Sequence, residues 1–171
     1  IPESDRENFY HNLLSLKIEL SEDLDTSYVF NENKIIINAN FDKYLVGEWS
    51  AENKTKILQN MFESNLCHEL LHMASTKNYS EVGLIHTGFQ AIMPNGNILS
   101  NYLNEGFTEM ISEVIYPSSY SYSDYKDTVH IASIISSLIG IENIKKLYFS
   151  NGLAINLQKQ LANFANEKDL K

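Results

Sequence analysis

Apolar positions along the chain change period several times, and each change marks an element. Phe9, Leu13, Leu16 and Leu20 recur near helical spacing after Pro2-Glu3-Ser4-Asp5, predicting a helix that runs to about Leu20. Residues 21–26 form a polar break. Tyr28-Val29-Phe30 and the Ile-rich run 34–41 flank Asn31-Glu32-Asn33, the pattern of a β-hairpin around a polar turn. After a connection over 42–50, Ile57, Leu58, Met61, Phe62, Leu66 and Leu70 lie on one stripe of a long helix over about 51–75, with Ser50 as its N-cap. Segments 84–93 and 97–103 flank Pro94-Asn95-Gly96, and Asn-Gly predicts a short hairpin there. A helix over about 100–115 stops before Pro117. A Tyr/Ser-rich loop over 118–123 follows, then helices over 125–139 and 141–149 parted by Gly140, and a last helix over about 152–167. The expected class is α+β, in a single domain over residues 1–171: a small N-terminal sheet, a long helix, and a mostly helical C-terminal half.

Composition narrows the partners. Hydrophobic content of 43% and charged content of 20% are those of an ordinary globular chain, not a disordered one. A formal net charge of −9 without any Lys/Arg cluster argues against nucleic acid as a partner. The longest apolar stretches, such as 131–141, are too short or too interrupted to span a bilayer, so no transmembrane segment is expected. The lone Cys67 rules out an internal disulfide framework. It fits a reducing compartment or a bacterial secreted protein that uses no disulfides. The chain opens at Ile1 rather than Met, which suggests a removed leader. The expectation for location is therefore bacterial secreted or surface-attached, ahead of cytoplasmic.

The chemistry concentrates at the end of the long helix. His68-Glu69-Leu70-Leu71-His72 is an HExxH motif: residues four apart on a helix lie one above the other, so both imidazoles face the same way. Two neutral histidines and one carboxylate leave a tetrahedral Zn²⁺ with an open position, the mark of a catalytic rather than a structural site. Glu69, one residue along, takes the general-base place in this pattern. Taken alone, the motif also fits two surface histidines beside a solvated glutamate. A long amphipathic helix before it and an acidic helix after it favour the metal site.

The third ligand separates the families. A HExxHxxGxxH site needs Gly at 75 and His at 78, where this chain has Ser75 and Asn78. A cysteine ligand from a separate segment, as in peptide deformylases, is also missing, because Cys67 sits immediately before His68 and points about 100° away from it. Leu103-Asn104-Glu105-Gly106-Phe107-Thr108-Glu109 resembles the glutamate helix of gluzincins, the zincin-like peptidases that include the thermolysin-like enzymes. That resemblance covers about a fifth of the chain. It implies Glu105 as third zinc ligand and Glu109 as the carboxylate that orients a ligand histidine, with an exchange of these two roles as the alternative. It also implies zinc-dependent hydrolysis of a peptide or protein substrate. The Gly-x-Met-Glu-Asn segment that holds a free amino terminus in the exopeptidases is missing, which favours an endopeptidase.

Two further expectations attach to the resemblance. Asn38-Ala39-Asn40-Phe41 is a candidate for the edge strand that binds substrate backbone. His86, flanked by Gly83 and Gly88, is the first candidate for the donor that steadies the oxyanion, with Tyr102, His130 and the tyrosines over 116–125 as alternatives. The rival to an enzyme is a zinc-binding regulatory or effector domain that is catalytically silent or acts on a single target. Retention of Glu69 speaks against that rival, because holding a metal needs no base at that place.

Overall fold

The computed structural model describes residues 1–40, 50–117, 125–150 and 154–169. The elements run α1 (Arg6–Ser15), β1 (Lys17–Ser21), β2 (Ser27–Val29), β3 (Lys34–Asn38), α2 (Ala51–Ser75), β4 (Lys77–Tyr79), β5 (Leu84–Thr87), β6 (Gln90–Ile92), β7 (Ile98–Leu99), α3 (Asn101–Ile115), α4 (Lys126–Ile139), α5 (Ile141–Phe149) and α6 (Ala154–Asp169). The expected α+β class holds, with two small sheets ordered β1-β3-β2 and β4-β5-β6-β7. The expected loop over 118–123 and residues 151–153 lie outside the described residues.

The first expected helix is two elements. α1 stops at Ser15, Leu16 turns to extended backbone (φ −62°, ψ 131°), and Lys17–Ser21 becomes β1, parallel to β3. Leu16 and Leu20 continue the helical stripe of Phe9 and Leu13. But Ile18 and Leu20 also alternate with Lys17 and Glu19, and that second period is the one pairing selects. Asn33, held at φ +46°, donates from Nδ2 to the Asn12 carbonyl at 2.7 Å and occupies an orphan acceptor of the last turn of α1. The expected hairpin forms through antiparallel β2 and β3, over a shorter range than the pattern predicts. However, β3 is the central strand and ends at Asn38, so Asn38-Ala39-Asn40-Phe41 supplies no substrate-binding edge; Phe41 itself lies outside the described residues. The edges are β1 and β2.

Helix α2 has its expected bounds, and Ser50 Oγ accepts from the Asn53 N–H at 3.3 Å. Its C-terminus is closed without glycine. Asn8 and Asn12 of α1 donate to the Thr76 carbonyl at 2.9 and 2.8 Å, and Asn12 donates also to the Met73 carbonyl at 2.9 Å. A Lys77–Asp5 ion pair fastens the same corner. The Asn-Gly hairpin joins β6 to β7 as expected, but the arm over 84–93 is itself folded at Gly88 into β5 and β6. Gly88 has φ +54°, and a Cβ there would collide with Asn104 and the Tyr148 ring, so no other residue fits this turn.

The main core lies on the helical side, where Leu71 and Ala74 of α2 meet Phe89, Phe107, Ile111, Ile144, Tyr148 and Leu157. Gly106 lets α3 approach α4 closely, since a Cβ would stand 2.6 Å from the Thr128 carbonyl oxygen. This packing fixes α3 against α2, and with it the carboxylates that α3 carries.

Candidate metal centre

His68 and His72 project from the last turns of α2 and are 7% and 6% exposed. Their Nε2 atoms stand 3.0 Å apart. Glu105 Oε2, one helix away on α3, lies 3.1 Å from His68 Nε2 and 3.3 Å from His72 Nε2. Three donor atoms thus form a nearly equilateral triangle. A tetrahedral ion with bonds of roughly 2.0–2.1 Å separates its ligands by about 3.3 Å, so the triangle has the size such an ion requires. The described His68, His72 and Glu105 form a group able to hold a metal ion.

The outer contacts orient these donors. His68 Nδ1 is 2.8 Å from Glu109 Oε2, close enough for Nδ1–H to donate to that carboxylate. Of the two carboxylates, Glu105 therefore reaches both histidines and Glu109 only the far side of one. Asn104, fully buried, sets its amide 3.3 Å from His72 Nδ1, while its Oδ1 accepts from the Phe89 N–H at 2.9 Å. The backbone of His72 is held as well: Thr76 and Thr87 donate to its carbonyl at 2.7 and 3.2 Å. Thr108 links α3 to the core through Tyr148 Oη at 2.6 Å.

Burial and charged neighbours act in opposite directions on these groups. Burial alone would disfavour a charged His68, but Glu105 and Glu109 beside it push its pKa up to about 10. Burial likewise disfavours the Glu105 carboxylate, yet His68 and His72 hold its pKa far below the usual range. Glu69 goes the other way: it is 8% exposed, and desolvation raises its pKa above the usual carboxylate range.

These groups floor a cavity of about 340 Å³. Ser27 and Tyr28 of edge strand β2, Gln90 of β6, Asn101 of α3 and Tyr125 also line it. The Tyr125 ring stacks on His68, with centroids 6.2 Å apart and planes at 13°.

His86 is not among the lining residues. It is 1% exposed on β5, and its neighbour Thr87 faces the cavity, so the alternation of a strand turns His86 to the other face. Neither of its ring nitrogens has a partner among the described residues. Tyr102 is 76% exposed on α3 and Tyr116 bonds Glu63 outside this cavity; neither they nor His130 line it. Tyr120 and Tyr122 lie outside the described residues. The hairpin region between the two helices that carry the cluster lines the cavity through Thr87, Gln90 and Ile98, whereas no local pattern in the sequence marks the lining from β2.

Comparison with protein-family models, with curated proteins and with solved structures gives no match to this chain. Among the described residues no helix is long and apolar enough to cross a membrane.

Proposed function

We propose that this chain is a zinc-dependent endopeptidase of the gluzincin type, with His68, His72 and Glu105 as ligands. The observation that carries the reading is the triangle of donor atoms with sides of 3.0, 3.1 and 3.3 Å at the floor of a cleft that also holds Glu69. Mixed imidazole and carboxylate donors with an open side suit zinc, which supplies Lewis acidity toward a carbonyl and brings the pKa of a water toward neutrality.

The protein's own groups do the rest. Glu69 takes the proton of the attacking water and hands it to the leaving amine, and its raised pKa matches that two-way transfer. Glu109 keeps the His68 ring in the ligating tautomer. Tyr125 takes the place first expected for His86 and donates to the developing oxyanion, since among the described candidates it is the one that lines the cleft. An extended substrate adds along the edge of β2, where Ser27 and Tyr28 line the cleft and the Tyr28 backbone bonds Glu69.

The test joins metal content with turnover. Elemental analysis should find about one zinc per chain, and a peptide library should be cut at internal bonds. Glu69→Gln should keep the metal and lose activity by about 10²–10⁴-fold. Metal bound without cleavage by the native chain would establish the regulatory or effector alternative instead, and cleavage by Glu69→Gln would reject this mechanism.

A further inference from the structure

The two edges of the N-terminal sheet face different ways. Strand β2 borders the cleft, whereas β1 pairs with β3 on one side and, among the described residues, has no strand on the other. Lys17 donates its N–H to the Asn33 carbonyl at 3.0 Å, and the Ser21 carbonyl accepts from Ala39 at 2.7 Å. Odd-numbered residues therefore turn their backbone groups inward, and the alternation of a ladder turns those of Ile18 and Leu20 outward. Their side chains are 60% and 69% exposed, although the residues beside them in register, Ile35 and Ile37, are 0% and 5% exposed. An edge with outward N–H and C=O groups and uncovered aliphatic side chains is a template for another strand.

We propose that the strand it takes is β1 of a second copy of this chain, antiparallel about Ile18, joining two three-stranded sheets into one of six strands. The charges choose both the partner and the register. With the two-fold axis at Ile18, Lys17 stands twice over opposite the partner's Glu19, a carboxylate that already meets Lys34 of its own chain at 3.1 Å, while Ile18 faces itself and Leu16 faces the partner's Leu20. Opposite charges and aliphatic pairs set directly across an antiparallel ladder are each stabilising. Moving the axis to Glu19 keeps the backbone parity but sets Glu19 against itself, which is repulsive. Such a dimer leaves the β2 edge and the cleft open in both copies, and it does not depend on the peptidase reading.

Sedimentation velocity of the full chain across the micromolar range should show a reversible dimer. Lys17→Glu and Glu19→Lys should each weaken it by about tenfold, and the double exchange should restore it, with circular dichroism confirming that each variant is folded. In a Cys67→Ala background, Ile18→Cys should cross-link under mild oxidation, because residues paired with themselves across the axis have Cα atoms about 5.5 Å apart, within disulfide reach. Glu19→Cys should not. A monomer throughout, a dimer indifferent to both charge reversals, or cross-linking of Glu19→Cys in preference to Ile18→Cys would overturn the proposal.

Discussion

His68 and His86 are both buried imidazoles, and their surroundings drive their charge in opposite directions. His68 lies between two carboxylates, which outweigh its desolvation and raise its pKa to about 10. His86 has no partner for either ring nitrogen among the described residues, and burial, with Lys77 opposite it across β4 and β5, lowers its pKa to about 4. Carboxylates favour the charged ring at the first histidine, and burial disfavours it at the second. Burial of a histidine therefore says nothing about its role; the groups that meet the ring decide it.

The largest expected effect on metal binding is at Glu105. Glu105→Ala removes the one oxygen that reaches both histidines, and zinc affinity should fall by more than about 100-fold, beyond the effect of losing an orienting partner. Equilibrium dialysis would measure it. Full zinc occupancy at low free zinc would move the third-ligand role to Glu109.

The other side of the comparison is read by pH. The unfolded chain protonates His86 near 6.5 and the folded chain only near 4, so the unfolded state binds more protons between those values. Stability from this residue is fully present above pH 6.5 and is lost as pH falls toward 4, by up to about 3 kcal/mol. Urea melts at pH 7 and pH 4.5 should show that loss, and His86→Phe should shrink it while leaving metal content alone. An unchanged slope in His86→Phe would assign the acid sensitivity elsewhere.

A smaller effect separates the two carboxylates. Glu109→Gln keeps the shape but weakens the acceptor for His68 Nδ1–H, and zinc affinity should drop about 10–100-fold. A loss as large as that of Glu105→Ala would erase the distinction between ligand and orienting group.

The smallest expected effect lies far from both histidines. Ser50→Ala at the start of α2 should cost about 1 kcal/mol of stability with metal affinity unchanged. A large fall in metal affinity there would mean that the cluster reports the integrity of α2 rather than its own contacts.

Much of the site could be read from the residues because it rests on helical periodicity. His68 and His72 are one turn apart on α2, Glu105 and Glu109 one turn apart on α3, and these offsets are local properties of the backbone. The Ser50 cap and the Asn-Gly turn were legible for the same reason. Strand identity was not local. Residues 16–20 fit both a helical stripe and a strand alternation, and only the presence of β3 beside them decided for β1. The same holds for His86: its flanking glycines mark a turn, but the face on which its ring lies depends on the strand's register, where one residue's shift reverses in and out.

The sequence by itself therefore determined most of the helices, the two histidines with the glutamate between them, and a second pair of carboxylates on another helix. Tertiary structure alone decided that Glu105 reaches both histidines while Glu109 reaches one, that β2 rather than β3 borders the cleft, and that His86 is turned away from it. Spacing along a helix fixes which side chains share a face, but distances between elements come from packing, here the close approach of α3 to α4 at Gly106 and the turn at Gly88 against Asn104.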